Sequence, residues 1–331
     1  MTSIRRILFA VRNPDAPRQP GINKAIQIAS SLGASLELFH ALTSPVFLQL
    51  QPMTGESIET LRARTVEHVR KRLAKFVAPA RKQGVTLDYS VEWDYPPHEA
   101  IVRRAGKTRA DLIVAECHRG ARTRAWLIHL TDWELLRTSP LPVLLLKSGK
   151  PYRRPLTLAA VDPGHTHAKP LDLDTRIVGI AKQFSDALRG ALHLVHANHP
   201  PTLALALGDP AINAASIALT FDELTKHERA TFEKFAATTG IARARAHMVD
   251  GHPAMVIPRA ARKLGAGLVV MGAVSRSGLK RVFIGNTAER VLYALPCDVL
   301  VVKPEAFEST VERVPRGMRL IAQPPIAPLV S

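Results

Sequence analysis

An internal repeat is the feature that most constrains how this chain can fold. When the sequence is shifted by 156 positions, identical residues recur through much of each half. The identical pairs include Asp94 with Asp250, Pro97 with Pro253, Arg103 with Arg259, Val114 with Val270, Thr131 with Thr287 and Lys147 with Lys303. A chain of 331 residues has the length of about two domains of roughly 100–200 residues each. The repeat therefore predicts two copies of one domain.

The repeat also places the boundaries of the two units. Residues 1–150 form the first unit, residues 151–305 the second, and residues 306–331 a tail. The link at 148–155 contains Gly149 and two prolines, and this composition is typical of a short tether. The tail contains four prolines, and we expect it to be poorly ordered.

Short apolar runs alternate with helical patterns in both units. The runs at 7–11, 112–115 and 268–271 are continuous, which is typical of parallel strands buried on both faces. Five strands that alternate with helices predict a doubly wound α/β sheet in each unit. One long helix is predicted over 59–83. Ligands of such sheets bind beyond the carboxyl ends of the strands, where the strand order reverses.

Composition excludes several classes of protein. Lys and Arg number 45 against 28 acidic residues, a net charge of +17, but no recognition motif or aromatic platform accompanies this charge, so nucleic acid is an unlikely partner. Two cysteines, Cys117 and Cys297, are too few for a disulfide framework and indicate a reduced, cytoplasmic setting. No apolar stretch approaches roughly 20 residues, so we expect no membrane span.

A glycine-bearing loop follows the fourth strand of the second unit. Met271 and Gly272 end that strand, and Gly285, Asn286 and Thr287 precede the next helix. Backbone N–H groups and a hydroxyl at a helix N-terminus form a generic phosphate cradle. The spacing of Asn286 and a later glutamate is equally that of an ordinary helix cap.

The same segment carries a family resemblance. GAVSRSGLKRVFIGNTAERVL at 272–292 and PCDVLVVKP at 296–304 resemble the nucleotide-binding signature of the universal stress protein family, which is Gly, two residues, Gly, nine residues, then Gly-Ser/Thr. TDWELL at 131–136 and SPLPVLLLK at 139–147 resemble its tandem, E-type members. The resemblance implies two tandem Rossmann-like sheets, of the adenine nucleotide α-hydrolase-like type, about a pseudo-two-fold axis. It further implies that the last strands of the two units pair within the chain.

The resemblance implies ATP or ADP as ligand, with Mg²⁺ at most as the nucleotide's companion. The second unit keeps part of the family's nucleotide-binding pattern. The matching positions are Asp162 after the first strand, Ala197 after the second, Met271 and Gly272 at the end of the fourth, and Gly285, Asn286 and Thr287 at the helix. Ser275 replaces the middle glycine, where a Cβ would obstruct a loop that needs a positive φ.

The first unit departs further from the pattern. Arg12 stands at the acidic position, Glu116 and Arg119 replace the two glycines, and His129-Leu130 replaces the final Gly-Ser. A carboxylate at Glu116 would repel phosphate, and Trp126 is a candidate to fill the nucleotide's place. We therefore expect no ATP in the first unit. Its basic loop at 118–124 either is solvated or meets another anion.

Other candidate chemistry is weak. His193, His196 and His199 lie on one strand at spacings that turn successive side chains to opposite faces, so no metal site is expected. His196 repeats His40, which favours a structural role. Cys117 has no obvious base beside it and is not expected to be a nucleophile. No catalytic constellation is found, so at most slow ATP hydrolysis is expected.

Three hypotheses of function remain. The leading one is a cytoplasmic stress-response protein that binds an adenine nucleotide in the second unit only. The alternative is a nucleotide-free interaction scaffold or a holder of an apolar ligand, with the apolar segments at 45–50 and 203–219 as lids or packing. Weak nucleic-acid binding through the basic surface is the third. Protein partners and a homodimer stay open.

Overall fold

The first unit is built from short strands and helices in alternation. In the computed structural model, residues 3–43, 46–47, 57–119, 126–127, 130–164, 172–199, 214–273, 285–318 and 320–321 are described. The strands of the first unit are β1 (Arg6–Ala10), β2 (Ser35–Leu42), β3 (Val46–Phe47), β4 (Leu87–Trp93), β5 (Leu112–Glu116), β6 (His118–Arg119), β7 (Trp126–Leu127) and β8 (Val143–Leu146). Its helices are α1 (Pro20–Leu32), α2 (Ile58–Ala74), α3 (Val77–Lys82), α4 (Pro97–Thr108) and α5 (Leu130–Thr138).

The second unit repeats this order of elements. Its strands are β9 (Leu156–Ala160), β10 (Ala191–Asn198), β11 (Ala246–Asp250), β12 (Ala266–Gly272) and β13 (Asp298–Val302), and the tail adds β14 (Leu320–Ile321). Its helices are α6 (Leu173–Ala187), α7 (Ala214–Thr238), α8 (Pro253–Leu264) and α9 (Asn286–Ala294), with a 3₁₀ turn at Arg243–Arg245.

Ten strands form one sheet that runs through both units. The strand order is β11-β10-β9-β12-β13-β8-β5-β1-β2-β4. In the first unit β1 lies in the centre, with β2 and β4 on one side and β5 and β8 on the other. In the second unit β9 lies in the centre, with β10 and β11 on one side and β12 and β13 on the other. Strands within a unit are parallel. The strand order reverses between β1 and β5 and between β9 and β12. The predicted doubly wound α/β fold is confirmed.

The two units join through their last strands. β13 and β8 run antiparallel, with Leu300 opposite Leu144, which is the pairing that the family resemblance implies within one chain. This pairing gives each of the two strands a second neighbour, so neither is an open sheet edge. Among the described residues, β11 and β4 are the edge strands of the ten-stranded sheet.

The strands are buried on both faces. In β1, Ile7 and Phe9 belong to one apolar layer, while Leu8 and Ala10 belong to the other. All four side chains are buried. Successive residues of a strand point to opposite faces, so a strand covered on both sides needs a continuous apolar run. The sequence pattern that predicted these strands is thus explained by the helices that cover both faces of the sheet.

The prediction of one long helix over 59–83 is wrong. The structure has two helices there, α2 and α3, and the first ends with Lys75 as its C-cap. Pro79 lies in the first turn of α3, where its missing N–H costs nothing. In an uninterrupted helix the same proline would remove a backbone hydrogen bond and clash with the preceding turn.

A buried ion pair ties the units together behind the strands. Asp298, only 1% exposed, accepts hydrogen bonds from Lys24 Nζ at 2.5 Å and from Tyr152 Oη at 2.6 Å. Its other oxygen accepts the backbone N–H of Lys147 at 2.8 Å. One second-unit carboxylate therefore anchors a helix of the first unit, the linker and the strand β8.

The expectation that the tail is poorly ordered is wrong for residues 306–318. This stretch lies against the first unit: the Ser309 hydroxyl donates to the Thr138 carbonyl at 2.7 Å, and the Arg316 backbone N–H donates to Asp94 at 2.9 Å. Beyond it, β14 pairs with β3 in parallel. Composition did not reveal these contacts, because polar groups of the folded first unit provide them.

Candidate functional site

The structure brings several of the predicted site residues to one edge of the sheet. β9 lies between β10 and β12, so Asp162, Ala197 and Gly272 occupy neighbouring strand ends at the point where the strand order reverses. Met271 precedes Gly272 and is buried. Ser275 lies outside the described residues, as does the rest of the loop at 274–284. This strand-end region of the second unit is called the second crevice below.

Asp162 stands at the entrance to the second crevice. Its side chain is 42% exposed, and its backbone N–H donates to the Asp174 carboxylate at 3.1 Å. Asp174 is buried at the start of α6. Asp174 therefore fixes the backbone at Asp162.

Gly272 has a packing reason to be glycine. A Cβ there would lie 2.9 Å from Leu173 Cδ2 and 3.1 Å from Ile177 Cδ1, both on α6. The family resemblance places this glycine in the nucleotide-binding pattern. The structure shows that it permits close approach by a helix, which is another recognised role of glycine after a dinucleotide-binding strand.

Gly285 forms the start of α9. It has φ +83° and ψ 135°, a left-handed-side conformation that favours glycine. Gly285 is the N-cap residue and no side chain caps this end. The capping-box interpretation of Asn286 is therefore wrong, because Asn286 is already helical and Glu289 pairs with Arg137 of α5 at 3.0 Å. An uncapped N-terminus with backbone N–H groups is what a phosphate cradle requires. Thr287 lies in this first turn.

A buried histidine and a glutamate, which sequence reasoning did not pair, face each other in the second crevice. His196, 2% exposed, donates from Nδ1 to the Val161 carbonyl at 3.1 Å, and its ring stacks on Phe232 with centroids 5.4 Å apart. Its Nε2 lies 3.6 Å from Glu228 Oε2. Among the described residues neither atom has a hydrogen-bond partner. Glu228 also lies against Gly164, where a Cβ would overlap its carboxylate.

The geometry fixes what these two atoms can do. Because the carbonyl of Val161 takes the Nδ1 proton, a neutral His196 presents Nε2 as a hydrogen-bond acceptor. The carboxylate of Glu228 is also an acceptor. Two buried acceptors without a donor are unfavourable, by about 1–3 kcal/mol each. With His196 neutral, a hydrogen-bond donor placed between or beside the two atoms would satisfy both of them.

The two histidines that the repeat relates make the same backbone contact. His40 Nδ1 lies 2.7 Å from the Val11 carbonyl, and His196 makes the corresponding contact in the second unit. Burial lowers the pKa of His40.

Within the part of the chain that the structure describes, no group of three or more His, Cys, Asp or Glu side chains is placed to hold a metal ion.

The first unit has an open cavity at its own strand-order reversal, called the first cavity below. Its volume is about 520 Å³, and it is lined by the ends of β1, β2 and β5 together with residues of α2, α4 and α5. Arg12, His40 and Glu116 are among the lining residues. The side chains of Arg119, Trp126 and Leu130 lie outside the described residues, as does His129, so the expectations placed on them are not addressed.

Glu116 is engaged with the protein itself. Its carboxylate accepts a hydrogen bond from the Gly21 N–H at the start of α1, and burial raises its pKa. A Cβ on Gly21 would overlap this carboxylate. The side chain therefore brings its own negative charge to a helix N-terminus, a place that anions favour.

Neither cysteine has the character of a nucleophile. Cys117 is buried, and burial raises its thiol pKa far above the ordinary range. Burial also raises the pKa of Cys297 to about 12. The thiolate, which is the reactive form, is therefore disfavoured in both side chains at neutral pH. No helix among the described residues is long and apolar enough to cross a membrane.

Comparison with known proteins agrees with the fold and the repeat. A model of the universal stress protein family matches residues 3–147 and again residues 170–303. Universal stress protein E of Escherichia coli (strain K12) is 26% identical over 310 residues, which cover 92% of this chain and 96% of that protein. Universal stress protein E of Photorhabdus laumondii is 26% identical over 314 residues, with coverages of 92% and 97%.

Solved structures show the same architecture. A crystal structure of a functionally unknown protein from Pseudomonas aeruginosa PAO1 has a TM-score of 0.70 and 25% identity, covering 92% of this chain and 94% of that one. A universal stress protein from Archaeoglobus fulgidus DSM 4304 shares the fold, with a TM-score of 0.60 at 16% identity over 91% and 99% of the two chains. With both halves matched by the family model, this chain belongs to the universal stress protein family.

Proposed function

We propose that this chain is a stress-response protein of the cytoplasm that binds one adenine nucleotide, ATP or ADP, in the second crevice. The observation that carries the proposal is that two buried atoms beside Asp162, His196 Nε2 and Glu228 Oε2, lack a hydrogen-bond donor among the described residues when His196 is neutral. Adenosine supplies the missing donors, because its exocyclic amine and ribose hydroxyls all carry hydrogens that these acceptors lack.

The phosphate end of the nucleotide is assigned to the start of α9. Gly285 begins that helix without a side-chain cap, so its first N–H groups are available to phosphate oxygens. Gly272, at the end of β12, lets α6 pack closely against the strand beside the proposed site. These features support binding in the second unit, while the first unit carries Glu116 at the position of Gly272.

The proposal is of a binding protein rather than an enzyme. Phosphoryl transfer needs a positioned nucleophile and concentrated positive charge near the phosphates. The proposal assigns Asp162, His196 and Glu228 to the adenosine rather than to the phosphates, and Asp174 is committed to a backbone N–H, so it includes no general base at the phosphate end. Nucleotide turnover slow enough to require long incubation is the most that we expect.

Calorimetric titration of the full chain with ATP and ADP tests the proposal. We expect one site per chain, lost in Asp162→Arg. Glu228→Gln is the sharper variant, because the new amide donates to His196 Nε2 and satisfies the pair without a ligand. It should weaken ATP binding about tenfold, the effect of one net hydrogen bond. Glu223→Gln, exposed on the same helix α7, is the matched control.

Two results would remove the proposal. The first is the absence of nucleotide heat at millimolar concentration, which leaves the interaction scaffold as the function. The second is nucleotide binding that Glu228→Gln and Asp162→Arg leave unchanged, which places the ligand outside the second crevice.

A further inference from the structure

The first cavity is large enough for a ligand and has none assigned to it. Its volume of about 520 Å³ lies within the range of roughly 300–1,000 Å³ that is typical of small-molecule sites. It lies at the carboxyl ends of β1, β2 and β5, where doubly wound sheets bind ligands. The position of the cavity and its size both indicate a binding site.

Much of the wall is apolar. Val11, Leu42, Val69, Ile101 and Leu135 line the cavity, and all five are buried. Such a surface favours an apolar ligand body, because burial of apolar area is favourable by about 25 cal/mol per Å². A ligand made only of charged groups does not fit these walls.

The acidic groups of the cavity are already engaged. Glu116 accepts the Gly21 N–H. Asp15 lies 2.8 Å from His68 Nε2 and 3.6 Å from Arg72 Nε. Asp132, buried, also interacts within the protein. None of these carboxylates is therefore left to attract a cation.

Arg12, unlike these carboxylates, is not engaged by another described residue. It lines the cavity and is exposed at its mouth, and no ion pair or hydrogen bond is formed by its guanidinium within the described part of the chain. A guanidinium stays charged and presents a planar fork of donors that matches a carboxylate. It is the one charged group of the described lining that is left for a ligand.

His40 adds a directional contact. Its Nδ1 is committed to the Val11 carbonyl at 2.7 Å, and burial keeps the ring neutral by lowering its pKa. The neutral ring then offers Nε2 as an acceptor toward a ligand hydroxyl or amide. The cavity so combines apolar walls, one cation and one acceptor.

We propose that the first cavity binds a small organic carboxylate with an apolar body, whose carboxylate pairs with Arg12 and whose body lies against Val69, Ile101 and Leu135. A nucleotide carries several negative charges. In the first unit the Glu116 carboxylate stands at the position that corresponds to Gly272, where it would repel phosphate. The two units of one chain thus take ligands of different chemistry.

The test uses the full chain and three probes, benzoate, phenylacetate and hexanoate, each paired with its neutral amide. Binding is measured by saturation-transfer NMR and calorimetry. The carboxylates should bind about tenfold more tightly than the amides, the gain expected of one charge-assisted pair. Arg12→Gln should remove that difference. Arg18→Gln, exposed on the same loop but outside the cavity lining, should keep it.

A second variant separates the cavity from the surface charge. Thr65→Trp places a large ring into the cavity from α2 and should abolish binding of every probe, with the circular dichroism spectrum unchanged. Asp162→Arg should leave carboxylate binding intact, because it alters the other unit. The proposal is overturned if no probe binds at about 10 mM, if acids and amides bind equally, or if Arg12→Gln behaves as Arg18→Gln. It is also overturned if ATP competes for the site in an Arg12-dependent way.

Discussion

Two lysines related by the repeat, Lys147 and Lys303, should respond to the same substitution with opposite sign. Both are buried at the ends of the last strands, 3% and 4% exposed. Lys147 Nζ donates to the carbonyls of Leu292 at 2.5 Å and Leu295 at 2.9 Å, at the end of α9. Lys303 Nζ lies 4.6 Å from the centroid of the Phe307 ring.

The expected change in the free energy of unfolding follows from the pKa of Lys303, which burial lowers from 10.5 to about 8. A base with a depressed folded pKa is destabilising when charged, so its cost is full below about pH 8 and vanishes above pH 10.5. The shift corresponds to about 3 kcal/mol at pH 7, from which a lost cation–π contact subtracts about 0.5–1 kcal/mol. Lys303→Met, which keeps most of the stem, should therefore stabilise the chain by about 2 kcal/mol at neutral pH.

Lys147→Met should instead destabilise it. Burial lowers the pKa of Lys147 as well, but the two buried carbonyls that lose their donor cost about 1–3 kcal/mol each and outweigh that effect. Thermal unfolding followed by circular dichroism at pH 7 and pH 10 measures both variants. For a unit of this size each kcal/mol moves the Tm by about 2–4 °C. We expect Lys303→Met to raise the Tm at pH 7 and to lose most of that gain at pH 10. The reasoning is refuted if Lys303→Met lowers the Tm at pH 7, or if its gain is the same at both pH values.

Three further predictions concern contacts that hold the fold. Lys24→Met should destabilise the chain by about 3–5 kcal/mol, because it leaves Asp298 as a buried carboxylate without its cation. Chemical denaturation measures the free energy of unfolding, and a change below about 1 kcal/mol would contradict the prediction. Glu116→Gln should raise the Tm at pH 7 and have no effect near pH 4. Burial raises the pKa of Glu116, so its charged form is penalised above the unfolded pKa, and the penalty is absent below that value. An unchanged Tm at pH 7 would show that the carboxylate is not penalised. Arg316→Ala should speed proteolysis between residues 306 and 318 with little change in global Tm, because Arg316 pairs with Glu99 at 3.0 Å. The control is Arg313→Ala, which changes an exposed neighbour. Equal cleavage rates of the two variants would show that the pair does not hold the tail.

The fold was predictable because its determinants are local or repeated. A continuous apolar run such as Ile7–Val11 is written in the sequence itself, and the repeat supplies the same pattern twice. The pairing of β8 with β13 followed from the family resemblance. The break between α2 and α3 was missed, although Pro79 was a visible signal that a helix cannot continue through that residue.

The site was less predictable because its main contacts join distant parts of the chain. Glu228 lies on α7, far in sequence from His196, and no motif pairs them. A glutamate four residues before Phe232 on one helix face was the available signal, since residues at this spacing are neighbours on a helix. Glu116 was identified as a departure from the pattern, but its contact with Gly21 depends on how α1 packs beside β5. The strand ends marked the place of the site, and tertiary packing decided which polar atoms were left without partners.

The central claim is that one chain carries two crevices of the same origin and different ligand chemistry. The most direct measurement is the stoichiometry of ATP binding by calorimetry for the full chain and for the matched variants Asp162→Arg and Arg12→Gln. The account predicts one ATP per chain, lost in Asp162→Arg and retained in Arg12→Gln. Two ATP per chain, or one that is lost in Arg12→Gln and retained in Asp162→Arg, would contradict it.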